Sequence, residues 1–303
     1  MAKSKCIIIL SEKSSGSSAC QALLAKIADI RHVNVTRHNR HETLYWTKAA
    51  SILNKPQLKM VDSEVPLSAV RARRDLLALF SQNLDGFTPP ADDTDMIMKG
   101  WYELCRAHSP IFLEKSPHHL CQWHALELLM KCMDEATDVE FQIIGLIRNP
   151  MATIYSQFQQ WRSPPAKLEQ QWRVAYQNLL RLKERLDDRV ILLQYKEMVT
   201  STDWLYPVAK FCELNFADVD KQHMHARSLE KWKQDRWFGH QLTDETRDLA
   251  RQFGYDDAEL SHTSYATWPI VWRAQRLSYR LSRPLLSTAY RLSARLRGID
   301  VSE

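Results

Sequence analysis

The sequence predicts an α/β protein built on a central parallel β-sheet flanked by helices on both faces. Three observations carry that expectation. Short apolar runs recur at 5–10, 111–113, 141–147 and 190–193. Longer stretches between them repeat their apolar residues at helical spacing. The short runs are apolar throughout rather than alternating, which suits strands buried on both faces of a parallel sheet.

Taken in order, Lys5 to Leu10 reads as the first buried strand and Ser18 to Ile30 as the first helix, with Ala22, Leu23, Ile27 and Ile30 on one face. His32 to Thr36 alternates and is rich in β-branched residues, which predicts a second strand. Residues 37–46 read as a loop, Leu67 to Phe80 as a helix, and 83–95 as a loop with Asp, Pro and Gly. A short strand at Ile111 to Leu113, a helix from His118 to Met133 and an interior strand at Phe141 to Ile147 follow. Helices at Met151 to Trp161 and Lys167 to Leu186 precede a strand at Val190 to Leu193. Further helices are expected near 203–213 and 244–253, and a last one from Ile270 to Leu296, interrupted at Pro284.

Composition narrows the function. At 303 residues, 45% hydrophobic and 25% charged, the chain can bury a sizeable core. Its formal charge of +5 sits entirely in residues 265–303, where seven arginines face Asp300 and Glu303. The neutral body has no basic excess with which to grip nucleic acid. The expected organisation is therefore one domain over 1–264 and a basic amphipathic helical extension over 265–303. In that extension Leu277, Leu281, Leu285, Leu292 and Leu296 share a helical face, and Arg273, Arg276, Arg280, Arg283 and Arg291 share another. The helix is expected either to dock on its own domain with the arginines outward or to lie on an anionic membrane or a partner. The six cysteines include no C-x-x-C pair, which fits free thiols in a reducing compartment. No apolar run is long enough for a signal segment or a membrane span, so the protein is expected in the cytoplasm, with a peripheral place at a membrane as the variant of that expectation.

The chemistry begins after the first strand. Lys13-Ser14-Ser15-Gly16-Ser17-Ser18 joins strand to helix, at the carboxyl end where α/β sheets bind ligands. A helix start offers free N–H groups and the positive end of its dipole. Gly16 allows close backbone approach, the hydroxyls can donate, and Lys13 adds a charge. One serine would suffice as an N-cap, whereas four around a rare glycine point to a phosphate-type anion. Neither G-x-x-x-x-G-K-[ST] nor G-x-G-x-x-G is present. A second candidate anion site lies at Arg148-Asn149-Pro150, where a strand ends in an arginine and Ser156 follows eight residues on.

The two signals together resemble the sulfotransferases that use PAPS, 3′-phosphoadenosine 5′-phosphosulfate. The resemblance implies a P-loop-NTPase-like sulfotransferase fold. It implies that Ser14, Ser15, Gly16, Ser17 and Ser18 hold the 5′-phosphosulfate, and that Arg148 and Ser156 hold the 3′-phosphate. Glu114-Lys115-Ser116-Pro117 resembles the E-K-[ST]-P segment of carbohydrate-type members. Gln194-Tyr195-Lys196-Glu197-Met198-Val199 resembles a segment whose tyrosine, here Tyr195, lies near the adenine. Arg227 to Trp232 falls where relatives close over the nucleotide. The sequence departs from the family at Ser14, where a Lys or Arg normally precedes Ser-Gly. Lys13 and Lys115 are then the candidates for the missing charge.

Sulfuryl transfer needs an aligned hydroxyl or amine, a base, and cations on the developing charge. Lys13, Lys115 and the loop amides suit the last role, and no metal is required. For the base, the segment after the second strand offers Glu42 first, His41 second and His38 third. His118, His119 and His124 lack acids or cysteines at metal-ligand spacing and are expected to cap a helix or face a cleft. Trp46, Trp101 and Trp161 are candidates for stacking on a flat acceptor such as a sugar, although most tryptophans belong in a core. The acceptor itself, a glycan, lipid or small metabolite, is left open. A nucleotide kinase on a degenerate P-loop and a non-catalytic nucleotide-binding protein are the alternatives.

Overall fold

The computed structural model describes residues 4–27, 29–214, 226–265 and 268–296. Five strands, β1 (Ser4–Ser11), β2 (Ile30–Arg31), β3 (Ile111–Lys115), β4 (Val139–Ile147) and β5 (Val190–Gln194), form one sheet in the order β2-β3-β1-β4-β5. Every pairing is parallel. β1 lies at the centre, with Ile9 opposite Lys115 on one side and Ser11 opposite Leu146 on the other.

The uninterrupted apolar run of β1 follows from its position. Cys6, Ile8 and Leu10 enter one core, and Ile7 and Ile9 the other, all five fully buried. Each such isoleucine contributes about 1.5–3 kcal/mol of burial. The larger core contains Trp46, Trp101, Trp172 and Phe112, while the smaller contains Leu23, Leu113, Ile144 and Val208.

Helices cover both faces: α1 (Ser17–Leu24), α2 (Tyr45–Ile52), α3 (Ala69–Asn83), α4 (Asp93–Ala107), α5 (Trp123–Glu135), α6 (Pro150–Trp161) and α7 (Pro165–Leu186). After β5 come α8 (Tyr195–Thr200), α9 (Leu205–Phe211), α10 (Lys231–Gln234), α11 (Asp244–Gln252), α12 (Asp257–Leu260) and α13 (Trp268–Leu296).

Several expectations need correction. The second strand is Ile30–Arg31, paired to Ile111 and Phe112, not His32 to Thr36. Val33 is buried but Val35 is 48% exposed, so the alternation there follows no sheet face. The first helix stops at Leu24, although Ile27 and Ile30 are buried as their spacing suggested. Tyr45 and Trp46 open a helix rather than end a loop, because both rings enter the large core. The loop expected over 83–95 holds from Leu84 to Asp92 and ends three residues early at α4, a helix not expected there, whose start is capped by Asp92 accepting from the Asp95 amide at 2.9 Å. The last helix runs through Pro284 without ending there. Its start docks on the body, since Trp268 and Trp272 pack on the large core. No helix among the described residues is long and apolar enough to cross a membrane.

Candidate active site

The parallel sheet brings four segments to one edge. The loop from Ser11 leaves β1, Lys115 ends β3, Arg148 follows β4, and Tyr195 follows β5. At that edge lies a cleft of about 650 Å³ reached by Lys13, Gly16, Ser18, Glu42, Arg148 and Ser156.

The loop has two sides. Ser14 takes a left-handed backbone, φ 61°, and Gly16 does the same at φ 95°. Gly16, not a serine, is the N-cap of α1, and no side chain caps that helix. Its first amides are thus left to a ligand. A Cβ on Gly16 would stand 2.4 Å from the Tyr195 ring, so only glycine fits between ring and loop. Ser14, Ser17 and Ser18 line the cleft. Ser15 does not: the turn at Ser14 sends its side chain into the core, where its hydroxyl meets Tyr176 Oη at 3.1 Å. That is a correction to the expected serine cradle.

A buried carboxylate anchors the loop from beneath. Glu12 accepts from Gln157 Nε2 at 3.0 Å, Gln171 Nε2 at 2.5 Å and Cys121 Sγ at 3.1 Å. Gln157 also donates to the Lys13 carbonyl at 2.9 Å, and Gln171 Oε1 accepts from the Val61 amide at 2.8 Å. None of these tethers carried a signal in the sequence, since each is a single polar residue on an otherwise apolar face. All three side chains are buried and mutually bonded, as burial of polar groups requires.

The two lysines differ in what they hold. Lys115 is fully buried and donates to Glu42 Oε1 at 2.8 Å and to Ser18 Oγ at 3.3 Å. Lys13 turns the other way, donating to the Val61 carbonyl at 2.5 Å and the Asp62 carbonyl at 3.3 Å, with its ammonium 4.9 Å from the Trp161 ring. Burial lowers the Lys13 pKa, and the Glu12 carboxylate opposes that shift. The β3 end is itself braced: Glu114 accepts from Thr43 at 2.7 Å and Ser116 at 2.5 Å, and Ser116 Oγ accepts from the Leu44 amide at 3.0 Å. These bonds tie the Glu42 segment to the Lys115 strand.

Glu42 lines the cleft, as does His38, whose Nδ1 lies 3.1 Å from Glu64. His41 is exposed, with its ring 4.5 Å from that of His32, and does not line the cleft. His118 takes the place next to Glu42, with Nδ1 3.8 Å from Oε2. Burial, and then the charge of Lys13, push the His118 pKa down to about 3. It is a neutral imidazole with its Nδ1 unsatisfied among the described residues. Its neighbour in the sequence, the buried His119, turns to Glu114 at 3.7 Å.

Arg148 stands between two cavities. It lines the main cleft with Ser156, and it also lines a second cavity of about 320 Å³ with Tyr195, Trp232 and Tyr255. Its Nη1 donates to the Ser14 carbonyl at 2.6 Å and its Nη2 to the Ser228 carbonyl at 2.8 Å, while Nε has no hydrogen-bond partner among the described residues. The guanidinium lies 4.6 Å from the Tyr195 ring, whose hydroxyl is 2.7 Å from Ser228 Oγ. The segment expected to close over a nucleotide thus reaches the arginine through Ser228. The Arg227 side chain lies outside the described residues. Of the three tryptophans considered for stacking, Trp46 and Trp101 are fully buried core residues, and Trp161 alone reaches the cleft.

A glycine-serine loop at the centre of a parallel sheet, faced by an arginine from the next strand, defines an α/β protein with a P-loop-like fold. The chain belongs to the sulfotransferase family, whose model matches residues 6–218. Two solved structures are similar. The sulfotransferase domain from the Synechococcus PCC 7002 olefin synthase aligns with TM-score 0.57 at 19% identity, over 84% of this chain and 96% of that one. The sulfotransferase domain from the curacin biosynthetic pathway aligns with TM-score 0.51 at 20% identity, over 84% of this chain and 99% of that one. At such identities the likeness shows the fold. No curated protein matches the chain.

Proposed function

We propose that the protein is a PAPS-dependent sulfotransferase that sulfates a hydroxyl, or an amine, on a glycan, lipid or small-metabolite acceptor in the cytoplasm. One observation carries this reading. Glu42, held from beneath by the buried Lys115, the Gly16 loop, and Arg148 with Ser156 all reach a single cleft, although they come from separate parts of the chain.

The residues present suit the donor. A helix start without a side-chain cap, a position only glycine can fill, and an arginine with an unpartnered Nε fit two separated anionic groups. Ser14, Gly16, Ser17 and Ser18 would hold the 5′ end, Arg148 and Ser156 the 3′-phosphate, and Tyr195 with Trp232 the adenine side. Bound there, PAPS supplies the activated sulfuryl group.

The chain's own groups supply the rest. Lys115, beside Ser18, donates toward charge that builds on the transferred oxygens. Lys13 contributes by releasing the Val61 carbonyl. Glu42 Oε2 is free of the lysine and accepts the proton of the acceptor hydroxyl, while Lys115 holds Oε1 in place. Neutral His118 beside Oε2 keeps that oxygen from water and adds no competing charge.

Calorimetric titration with 3′-phosphoadenosine 5′-phosphate, with ATP in parallel, tests the donor assignment. The bisphosphate should bind in preference to ATP. Arg148→Ala should weaken it by about 10- to 100-fold, as expected for losing charge-assisted hydrogen bonds. Tighter binding of ATP, or unchanged affinity in both Arg148→Ala and Ser156→Ala, would overturn it.

A further inference from the structure

Beside the donor cleft, and sharing Asp62 and Trp161 with it, lies a second cleft of about 610 Å³. Its charge is one-sided. Lys59, Arg162, Lys167, Arg276 and Arg280 line it, against one carboxylate, Asp62. Other surface arginines show the matched arrangement: Arg106 pairs with Asp138 and Glu103, and Arg251 with Asp248 and Asp257.

The cations come from three parts of the chain and are held in place. Arg276 and Arg280 are one turn apart on α13, where like charges repel unless something anionic separates them. Arg276 lies 5.5 Å from the ring of Trp272, which packs on the large core. Arg162 ends α6 in a left-handed conformation with its guanidinium 5.0 Å from the Phe158 ring. Its Nη1 is buried and has no hydrogen-bond partner among the described residues. Both Arg276 and Arg280 line the cleft, Arg276 partly buried and Arg280 exposed, while Ile270, Leu277 and Leu281 are 71%, 59% and 71% exposed. Arg276 thus departs from the arginines-outward arrangement expected from the sequence, and Arg280 stays exposed at the cleft's edge.

We infer that this cleft is the acceptor site, and that the acceptor carries its own carboxylate or phosphate ester beside the hydroxyl it offers. The anionic group lies among Lys167, Arg276 and Arg280. The Asp62–Trp161 end, where the cleft meets Lys13, takes the hydroxyl-bearing part. The inference rests on the sulfotransferase reading for the word acceptor, but the anion site can be measured without it.

Saturation-transfer NMR on the full chain provides the test, with glucose 6-phosphate, glucuronate and glucose as probes. Saturating 3′-phosphoadenosine 5′-phosphate keeps the probes out of the donor cleft. Both anions should give signal and glucose should not. The double variant Arg276→Gln/Arg280→Gln should weaken the anions by about tenfold, and Lys167→Gln, on a different helix, by less. Thermal melting checks that each variant is folded. Equal signals from glucose and the anions, or anion binding unchanged in all variants, would overturn the inference. If the bisphosphate itself does not bind, the donor reading fails. Anion signals that fall in the variants would then still uphold the anion site.

Discussion

The proposed donor cleft and the basic cleft beside it share a wall but differ in how their cations are held. At the first, three cations already have protein partners: Lys115 holds Glu42, Lys13 holds the Val61 carbonyl, and Arg148 holds the Ser14 and Ser228 carbonyls. In the basic cleft five cations face one carboxylate. The first arrangement is built for geometry. Its charges are held in place by bonds a ligand can replace, which favours little reorganisation when chemistry starts. The second is built for attraction, a field that draws an anion without prescribing its exact pose.

The largest effect should come from removing a fixed charge. Lys115→Ala should lower turnover by about 10²–10³ while nucleotide affinity moves less than about fivefold, the signature of an interaction made mainly in the transition state. Steady-state kinetics with calorimetry would separate the two, and an affinity loss as large as the turnover loss would place Lys115 in ground-state binding instead. Next is Gly16→Ala. The left-handed backbone and the 2.4 Å approach to Tyr195 should together cost about 1–3 kcal/mol, displacing the ring and weakening the nucleotide about tenfold or more. Wild-type affinity in that variant would show that the loop adapts and is not prebuilt.

The smallest effect concerns acid stability. The folded protein holds His118 near a pKa of about 3, whereas an unfolded chain titrates it near about 6.5. Between those values the unfolded state binds more protons, so stability is lost as pH falls through about 6.5 and the loss continues towards about 3. His118→Gln should remove part of that slope, at most about 1.4 kcal/mol per pH unit, and leave stability above about pH 7 with no such dependence. Urea melts from pH 4 to 7 would read it. Parallel curves for both proteins would mean that the imidazole is more hydrated than its burial indicates.

The contrast also explains what the sequence made legible. Strand ends and the residues that leave them are local features, so the Gly16 loop, Lys115, Arg148, Ser156 and Tyr195 could be read from motif order alone, with the sheet supplying their convergence. Glu12, Gln157 and Gln171 could not. They are distant in sequence, and each alone looks like an ordinary polar residue in an apolar element; only packing reveals that they satisfy one another. His41 and Ser15 failed for a related reason: proximity along the chain says nothing about which side of a turn a side chain takes, and left-handed residues at Ser14, Arg40 and His41 decide it. The basic helix was visible as a pattern. Its orientation was not, because Trp268 and Trp272 fix it by tertiary contact.

The bond from Arg148 to the Ser14 carbonyl has one more consequence. It makes the two anchoring points of the donor into a single mechanical unit, because the arginine cannot swing fully to one phosphate without letting go of the loop that receives the other. Occupancy at either end therefore sets the stiffness of the opposite end, and by reciprocity the influence runs equally both ways. A nucleotide truncated at one phosphate should lose more than that phosphate's own contacts, and the protein would tell a spent donor from an ordinary adenine nucleotide by this tension rather than by any contact to the base.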